Sequence, residues 1–89
     1  MGSLYVYPNP GSGVSNIEYQ LVEDARVRID LLDVRGVIIR NVTDLSEKSG
    51  LHKISFQLTD PVPGIYFLRL IVKSVTGQFT EYRKFMITN

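Results

Sequence analysis

His52 is the single imidazole of the sequence, and there is no cysteine. Cys–His nucleophilic pairs and Cys/His zinc sites are excluded together, because each needs at least two such side chains. A serine nucleophile would need His52 as its base, but no G-x-S-x-G turn accompanies it. On the alternating face that carries Ile54 and Phe56, His52 reads as a strand-end histidine with no special role. The carboxylates are Glu18, Glu23, Asp24, Asp30, Asp33, Asp44, Glu47, Asp60 and Glu81, scattered over solvent faces and turns. A glycosidase-type pair would need two of them facing each other across a cleft, for which a chain this short has little volume. Asp33, Asp44 and Asp60 fall in loops but lack the D-x-D-x-D-G spacing of a calcium loop. Arg26, Arg28, Arg35 and Arg40 form a loosely basic run interleaved with Asp30 and Asp33. That run reads as the wet face of paired strands, since it lacks the interleaved aromatics on which bases stack. A net charge of +1 provides no field for nucleic acid or an anionic membrane. These residues predict a domain that is not an enzyme, with no catalytic, cofactor or metal site and no nucleic-acid partner.

The scaffold must be economical. With 89 residues there is room for one domain, which buries only about 60–65% of the surface of its unfolded chain. Without disulfides it is held by apolar burial and sheet hydrogen bonds alone. No stretch approaches the ~20 apolar residues of a membrane-spanning helix, and no signal peptide heads the chain. Met1-Gly2-Ser3 reads as a remnant of recombinant expression, leaving one domain over 4–89 cut from a longer protein.

Period-2 alternation dominates. Ile17, Tyr19 and Leu21 alternate with Glu18 and Gln20, and Val27, Ile29 and Leu31 with Arg26, Arg28 and Asp30. Split only by Glu23-Asp24, these two strands predict a meander. Asp33-Val34-Arg35-Gly36 suits a type I turn closed by a glycine bulge, leading into a strand over 37–43. The polar stretch 44–50 predicts the longest loop, followed by a strand through His52, Ile54, Phe56 and Leu58. Asp60-Pro61-Val62-Pro63-Gly64 is a hard break, because proline cannot donate to a ladder. Ile65–Val72 carries apolar side chains on both faces and predicts a central strand covered on both sides for part of its length. Thr76-Gly77 turns the chain into a last strand over 79–88, and Leu4–Tyr7 adds a first. The expectation is an all-β, immunoglobulin-like Greek-key sandwich of seven antiparallel strands, with sheet crossings at 44–50 and 60–64. Tyr66, near the start of the penultimate strand, is placed to turn its hydroxyl back onto backbone just upstream.

Four blocks stand in order along these strands. They are Leu4-Tyr5-Val6-Tyr7-Pro8-Asn9-Pro10, Val27–Leu32 ending in Asp33-x-x-Gly36, Pro63-Gly64-Ile65-Tyr66-Phe67-Leu68-Arg69, and Lys84-Phe85-Met86-Ile87. In them the chain resembles, over Leu4 to Asn89, the C-terminal sorting domain of the type IX (Por) secretion system of Bacteroidota in its immunoglobulin-like type A form. The stretch Phe56–Val62 departs from the family in lacking the usual Leu just before Pro-Gly. Each block also has a local reading: Pro8-Asn9-Pro10 stiffens the exit from the first strand, and Gly36 and Gly64 meet backbone demands.

The resemblance implies a removable address label. The parent would cross the inner membrane by its own signal peptide, and the domain would fold in the periplasm. Outer-membrane type IX translocon components would then read it and carry the N-terminal cargo to the cell surface or the medium. A sortase-like peptidase would cut upstream of Leu4 and can join the cargo to a surface lipopolysaccharide. Tyr7, Pro8, Asn9, Pro10, Asp33, Gly36, Gly64, Tyr66, Lys84, Phe85, Met86 and Ile87 are the motif and candidate recognition residues. Among them the last hairpin, Gly64–Val72 with Phe79–Asn89, is expected to be read, because Lys84–Ile87 have the weakest structural explanation. An edge strand also offers unpaired backbone to a partner. Removing Phe85–Asn89 should then stop export while the remainder stays partly folded. The same edge invites strand exchange into a swapped dimer. The rival reading is a fibronectin- or immunoglobulin-like carbohydrate-binding or adhesion module using Tyr5, Tyr7, Phe67, Phe79 and Tyr82; a third is a passive spacer.

Overall fold

Strands that alternate apolar and polar residues bury one side only by facing another sheet, and the chain solves this with two. The computed structural model describes residues 4–88; the expected remnant Met1–Ser3 and the terminal Asn89 lie outside the described residues. The strands are β1 (Leu4–Tyr7), β2 (Val14–Leu21), β3 (Ala25–Leu32), β4 (Ile38–Glu47), β5 (Gly50–Gln57), β6 (Gly64–Ser74) and β7 (Gly77–Ile87). A three-stranded sheet, β1-β2-β5, packs on a four-stranded one, β4-β3-β6-β7, and every pairing between strands is antiparallel. The core lies between them, with Ile17, Val27, Ile29, Leu31 and Leu68 wholly shielded from solvent.

The predicted meander of the second and third strands does not form. β2 pairs with β1 and β5, and β3 pairs with β4 and β6. Their apolar faces meet through the core instead of across a ladder, an arrangement with the same alternation. The predicted loop over 44–50 is also replaced. β4 continues to Glu47, with Arg28 opposite Asp44 and Ala25 opposite Glu47, and the sheet crossing shrinks to Lys48-Ser49. β4 is an edge strand exposed along most of its length, so its ladder and the Arg26–Asp44 ion pair at 3.1 Å hold it without an apolar stripe. The Asp24 carboxylate accepts from the Ser49 amide at 2.9 Å and pins this crossing to the β2–β3 turn. The proline-rich crossing at 60–64 does carry the chain from β5 to β6, in the other sheet.

β6 is central, as its composition predicts, but among the described residues no third layer covers its outer face. Ile65, Phe67, Arg69 and Ile71 there are shielded only in part, by neighbouring side chains. His52 stacks on Tyr19 with ring centroids 5.3 Å apart, and its nitrogens face the Glu47 carboxylate at 3.0 Å and the Lys48 carbonyl at 2.6 Å. It is a strut beneath the β4–β5 crossing. Burial, and then the charge of Glu47, push the Tyr19 hydroxyl up to about 12.

Asp30 overturns its expected place among the solvent-exposed carboxylates. It lies on the outer face of the four-stranded sheet yet has no exposed surface, because Arg28 and Arg69 close over it. Its Oδ2 accepts from Arg28 Nε at 2.8 Å and Arg69 Nη2 at 3.0 Å, and its Oδ1 from Asn41 Nδ2 at 2.9 Å. The other arginines of the basic run are engaged likewise: Arg26 with Asp44, Arg35 with Asp33, and Arg40 with the Gln57 carbonyl.

Candidate functional site

Antiparallel order places the end of β3, the start of β6 and the end of β7 side by side: Leu32 lies opposite Phe67, and Ile65 opposite Met86. The exit of β1 reaches the same end. Four blocks separated by up to seventy-odd residues therefore meet at one pole of the sandwich.

Two blocks turn out to be a single structure. The Asn9 carboxamide accepts from the Met86 amide at 3.0 Å and donates weakly to the Lys84 carbonyl at 3.4 Å. Gly11 follows in parallel with β7, donating its amide to the Met86 carbonyl at 3.0 Å and accepting from the Thr88 amide at 2.7 Å. Asparagine suits this work because it carries a donor and an acceptor at the spacing of a peptide group. Glycine is required at position 11, where an added Cβ would lie 2.8 Å from the Pro8 carbonyl oxygen. The segment 8–11 thus clasps the free edge of β7. This corrects the expectation of an open edge at Lys84–Thr88: that stretch is already paired. Farther along, Thr80 and Tyr82 have no backbone partner beyond β6 among the described residues.

The Asp33–Gly36 block is a turn. Gly36 donates to the Asp33 carbonyl at 3.0 Å, and the Asp33 carboxylate accepts from the amides of Arg35 at 2.8 Å and Val37 at 3.0 Å. At φ +83° Gly36 occupies a backbone region that favours glycine. Gly64 opens β6 opposite Ile87, and the Tyr66 hydroxyl donates to the Val62 carbonyl, locking the proline-rich crossing. Tyr66 leans on Phe85 with centroids 6.0 Å apart, and Phe85 and Ile87 are both buried in the core.

Parity therefore divides the last block in two. Phe85 and Ile87 are core, whereas Lys84 and Met86 point outward beside Ile65, Phe67 and Tyr82. Together with Leu32 and Val34 these make an apolar outer surface carrying a lysine, with the charged Asp33–Arg35 turn at its rim. The aromatics of the rival binding-module reading are dispersed: Tyr5 and Tyr7 point out from β1, Phe67 and Tyr82 from the other sheet, and Phe79 packs against the core. No flat aromatic row exists among the described residues. Sequence reasoning missed Gly11 and Thr88, and it missed the role of Asn9 as a bridge. The cue was an asparagine held between two prolines, which pre-orient a side chain that can mimic a peptide group.

Asn9→Ala removes both clasp bonds from the side chain and should cost about 1–2 kcal/mol, lowering Tm by roughly 4–15 °C. Amide exchange at Met86 should accelerate. An unchanged Met86 exchange rate would show that something other than Asn9 protects this edge.

A family model described as the secretion system C-terminal sorting domain matches residues 5–88. No curated protein matches. Among solved structures, the PmoD soluble domain from Methylocystis sp. (Rockwell) superposes with a TM-score of 0.66 at 14% identity, covering 99% of this chain and 91% of that one. At that identity the likeness concerns the fold alone.

Proposed function

The chain belongs to the family of secretion system C-terminal sorting domains and is a type IX sorting signal, and from that premise we propose that the pole where the four motif blocks meet is the surface read during export. A sorting domain of this kind works with the secretion machinery, is attached behind an N-terminal cargo, and serves export across the outer membrane to the surface or the medium. Its family is not an enzyme family.

The observation that carries the reading is the split of Lys84–Ile87 into two buried and two outward residues. Phe85 and Ile87 are accounted for by packing, and Lys84 and Met86 are not. Both share the outer face of the β6–β7 hairpin with Ile65, Phe67 and Tyr82, a surface with the apolar centre and polar rim of a docking site. The partners are outer-membrane translocon components, met after the domain has folded in the periplasm as one unit over 4–89. A sortase-like peptidase then releases it by cutting ahead of Leu4. The domain itself performs no catalysis. The unclasped part of the β7 edge at Thr80–Tyr82 is where strand exchange between two copies would begin.

A fluorescent reporter with a periplasmic signal peptide, fused ahead of this chain, should reach the surface or medium only in a host with an intact type IX system. The pair Lys84→Glu and Met86→Glu should reduce the exported fraction to the level of a host lacking that system. Both positions are exposed, so Tm should move by no more than a few degrees. Normal export of a folded double variant would remove this face from consideration.

A further inference from the structure

Like charges set directly opposite each other across an antiparallel ladder repel and cost stability. The β3–β6 ladder sets Arg26 directly opposite Lys73 on the outer face of the four-stranded sheet. Arg26 is tied to Asp44, through Nε to its carboxylate and Nη2 to its carbonyl, both at 3.1 Å. Lys73 has no ion-pair partner among the described residues. Asp44 pairs across β4 on the far side of β3 from Lys73, so it does not screen the two cations from each other. With Arg28 and Arg69 these residues line a solvent-open depression of about 520 Å³, within the ~300–1,000 Å³ of small-molecule sites. Four cations stand there against two carboxylates, Asp44 and the buried Asp30, which leaves two positive charges uncompensated. A concave surface of one sign concentrates its field on an approaching anion.

We propose that this depression binds a phosphate monoester group, seated between Lys73 and the guanidinium groups of Arg26 and Arg28. The donors suit that class. Arg28 gives its Nε to Asp30 at 2.8 Å, and its Nη2 makes no hydrogen bond within the described residues; Arg26 Nη1 is free in the same sense. A guanidinium edge offers planar N–H donors to phosphate oxygens, and a lysine adds a compact charge with three donors of its own. Gln78, directly opposite Lys73 on β7, brings a carboxamide to the same lining. A phosphate dianion matches the two uncompensated charges, whereas a carboxylate would leave one over.

The facing cations then have a reason to be kept. An acidic residue at position 73 would attract Arg26 and stabilise the ladder, so the lysine holds a site ready for an anion at some expense of stability. The depression lies where β3 begins and β6 ends, while Lys84 pairs with Phe67 near the start of β6. Anion binding at the one end is therefore independent of whether the motif pole is the surface read during export.

The test titrates inorganic phosphate into the 89-residue chain at constant ionic strength, followed by amide chemical shifts. Saturable shifts at Arg26, Arg28, Lys73 and Gln78 are expected, with a Kd on the order of 1 mM. Lys73→Glu should weaken binding by about tenfold or more and yet raise Tm by about 1–5 °C, because it replaces repulsion across the ladder by attraction. The loss of binding is thereby separated from unfolding. Lys53→Glu, the same charge change on the other sheet, should leave the Kd within about twofold. Vesicles of phosphatidylcholine with and without phosphatidic acid, whose headgroup is a phosphate monoester, distinguish the source. Binding to the phosphatidic acid vesicles that requires Lys73 and is tighter than to free phosphate assigns a lipid; its absence assigns a soluble phosphate group. A phosphate titration that never saturates, or equal weakening by Lys73→Glu and Lys53→Glu, would overturn the proposal.

Discussion

Phe85→Ala should lower the stability of this domain by about 3–5 kcal/mol, enough to leave a large fraction unfolded at 37 °C. A chain of this size has on the order of 4–13 kcal/mol in all, and the corresponding fall in Tm is upwards of ~15 °C. Phe85 is only 2% exposed and fills the pole of the core against Tyr66, the residue whose hydroxyl locks the β5–β6 crossing. Truncation there opens a cavity bordered by a β7 edge strand and the 8–11 clasp, so its collapse would pull on the motif pole itself. Met86→Ala, one residue along and pointing outward, should cost less than about 1 kcal/mol. Thermal denaturation of the two variants side by side tests the inside–outside division of the last block; equal losses would refute it. The same division corrects the expected outcome of deleting Phe85–Asn89. That deletion removes two core side chains and the β7 groups paired with Asn9 and Gly11, so it reports on folding before it reports on export.

Asp30→Ala should be the most damaging change on the outer face of the four-stranded sheet, at about 3 kcal/mol. Breaking a buried ion pair by deleting one partner typically costs about 3–5 kcal/mol, and here Arg28 and Arg69 recover part of that because both still reach water. Asp30→Asn keeps the shape and loses the charge, and should fall between wild type and alanine. The effect has a pH signature. Burial alone would push the Asp30 carboxyl up, but hydrogen bonds from Arg28, Asn41 and Arg69 outweigh it and hold the group below the ordinary 3.8. Asp33 is lowered by its bond from Arg35, and Asp24 by the Ser49 amide. A folded-state value below the unfolded one contributes stability that is present above the unfolded value and lost as pH falls through the folded one. The wild type should therefore hold its Tm from neutrality to about pH 5 and lose it progressively below about pH 4. Over that descent the gap between wild type and Asp30→Asn should narrow. A gap that stays constant down to pH 2 would mean that the Asp30 charge contributes nothing.

Much of this is legible in the sequence, and the reason is periodicity. Alternation in 16–22 and 25–33 specifies which side chains of each strand go inward, because successive side chains on a strand point to opposite faces. Asp33-x-x-Gly36 specifies its own turn, because an acidic side chain and a glycine meet local backbone demands within four residues. The place of Tyr66 before the proline-rich crossing is local in the same way.

What alternation cannot express is which strand a face is turned towards. β2 and β3 look alike whether they share a ladder or oppose each other through the core, and only the packing of two sheets decided for the latter. Polar β4 lacked the alternation that would have extended it through Asp44–Glu47, since an edge strand draws on its neighbour's hydrogen bonds more than on its own apolar side chains. Asp30 reads as one more exposed carboxylate until Arg69, thirty-nine residues on, comes over it. The union of the Tyr-Pro-Asn-Pro block with the final strand is a contact across more than seventy residues. Sequence determined the strands, their inward faces and their turns, because those depend on neighbours along the chain. Tertiary structure alone decided the partners, the buried charge and the single pole where the motifs meet, because those depend on residues that only the closed sandwich brings within hydrogen-bonding distance.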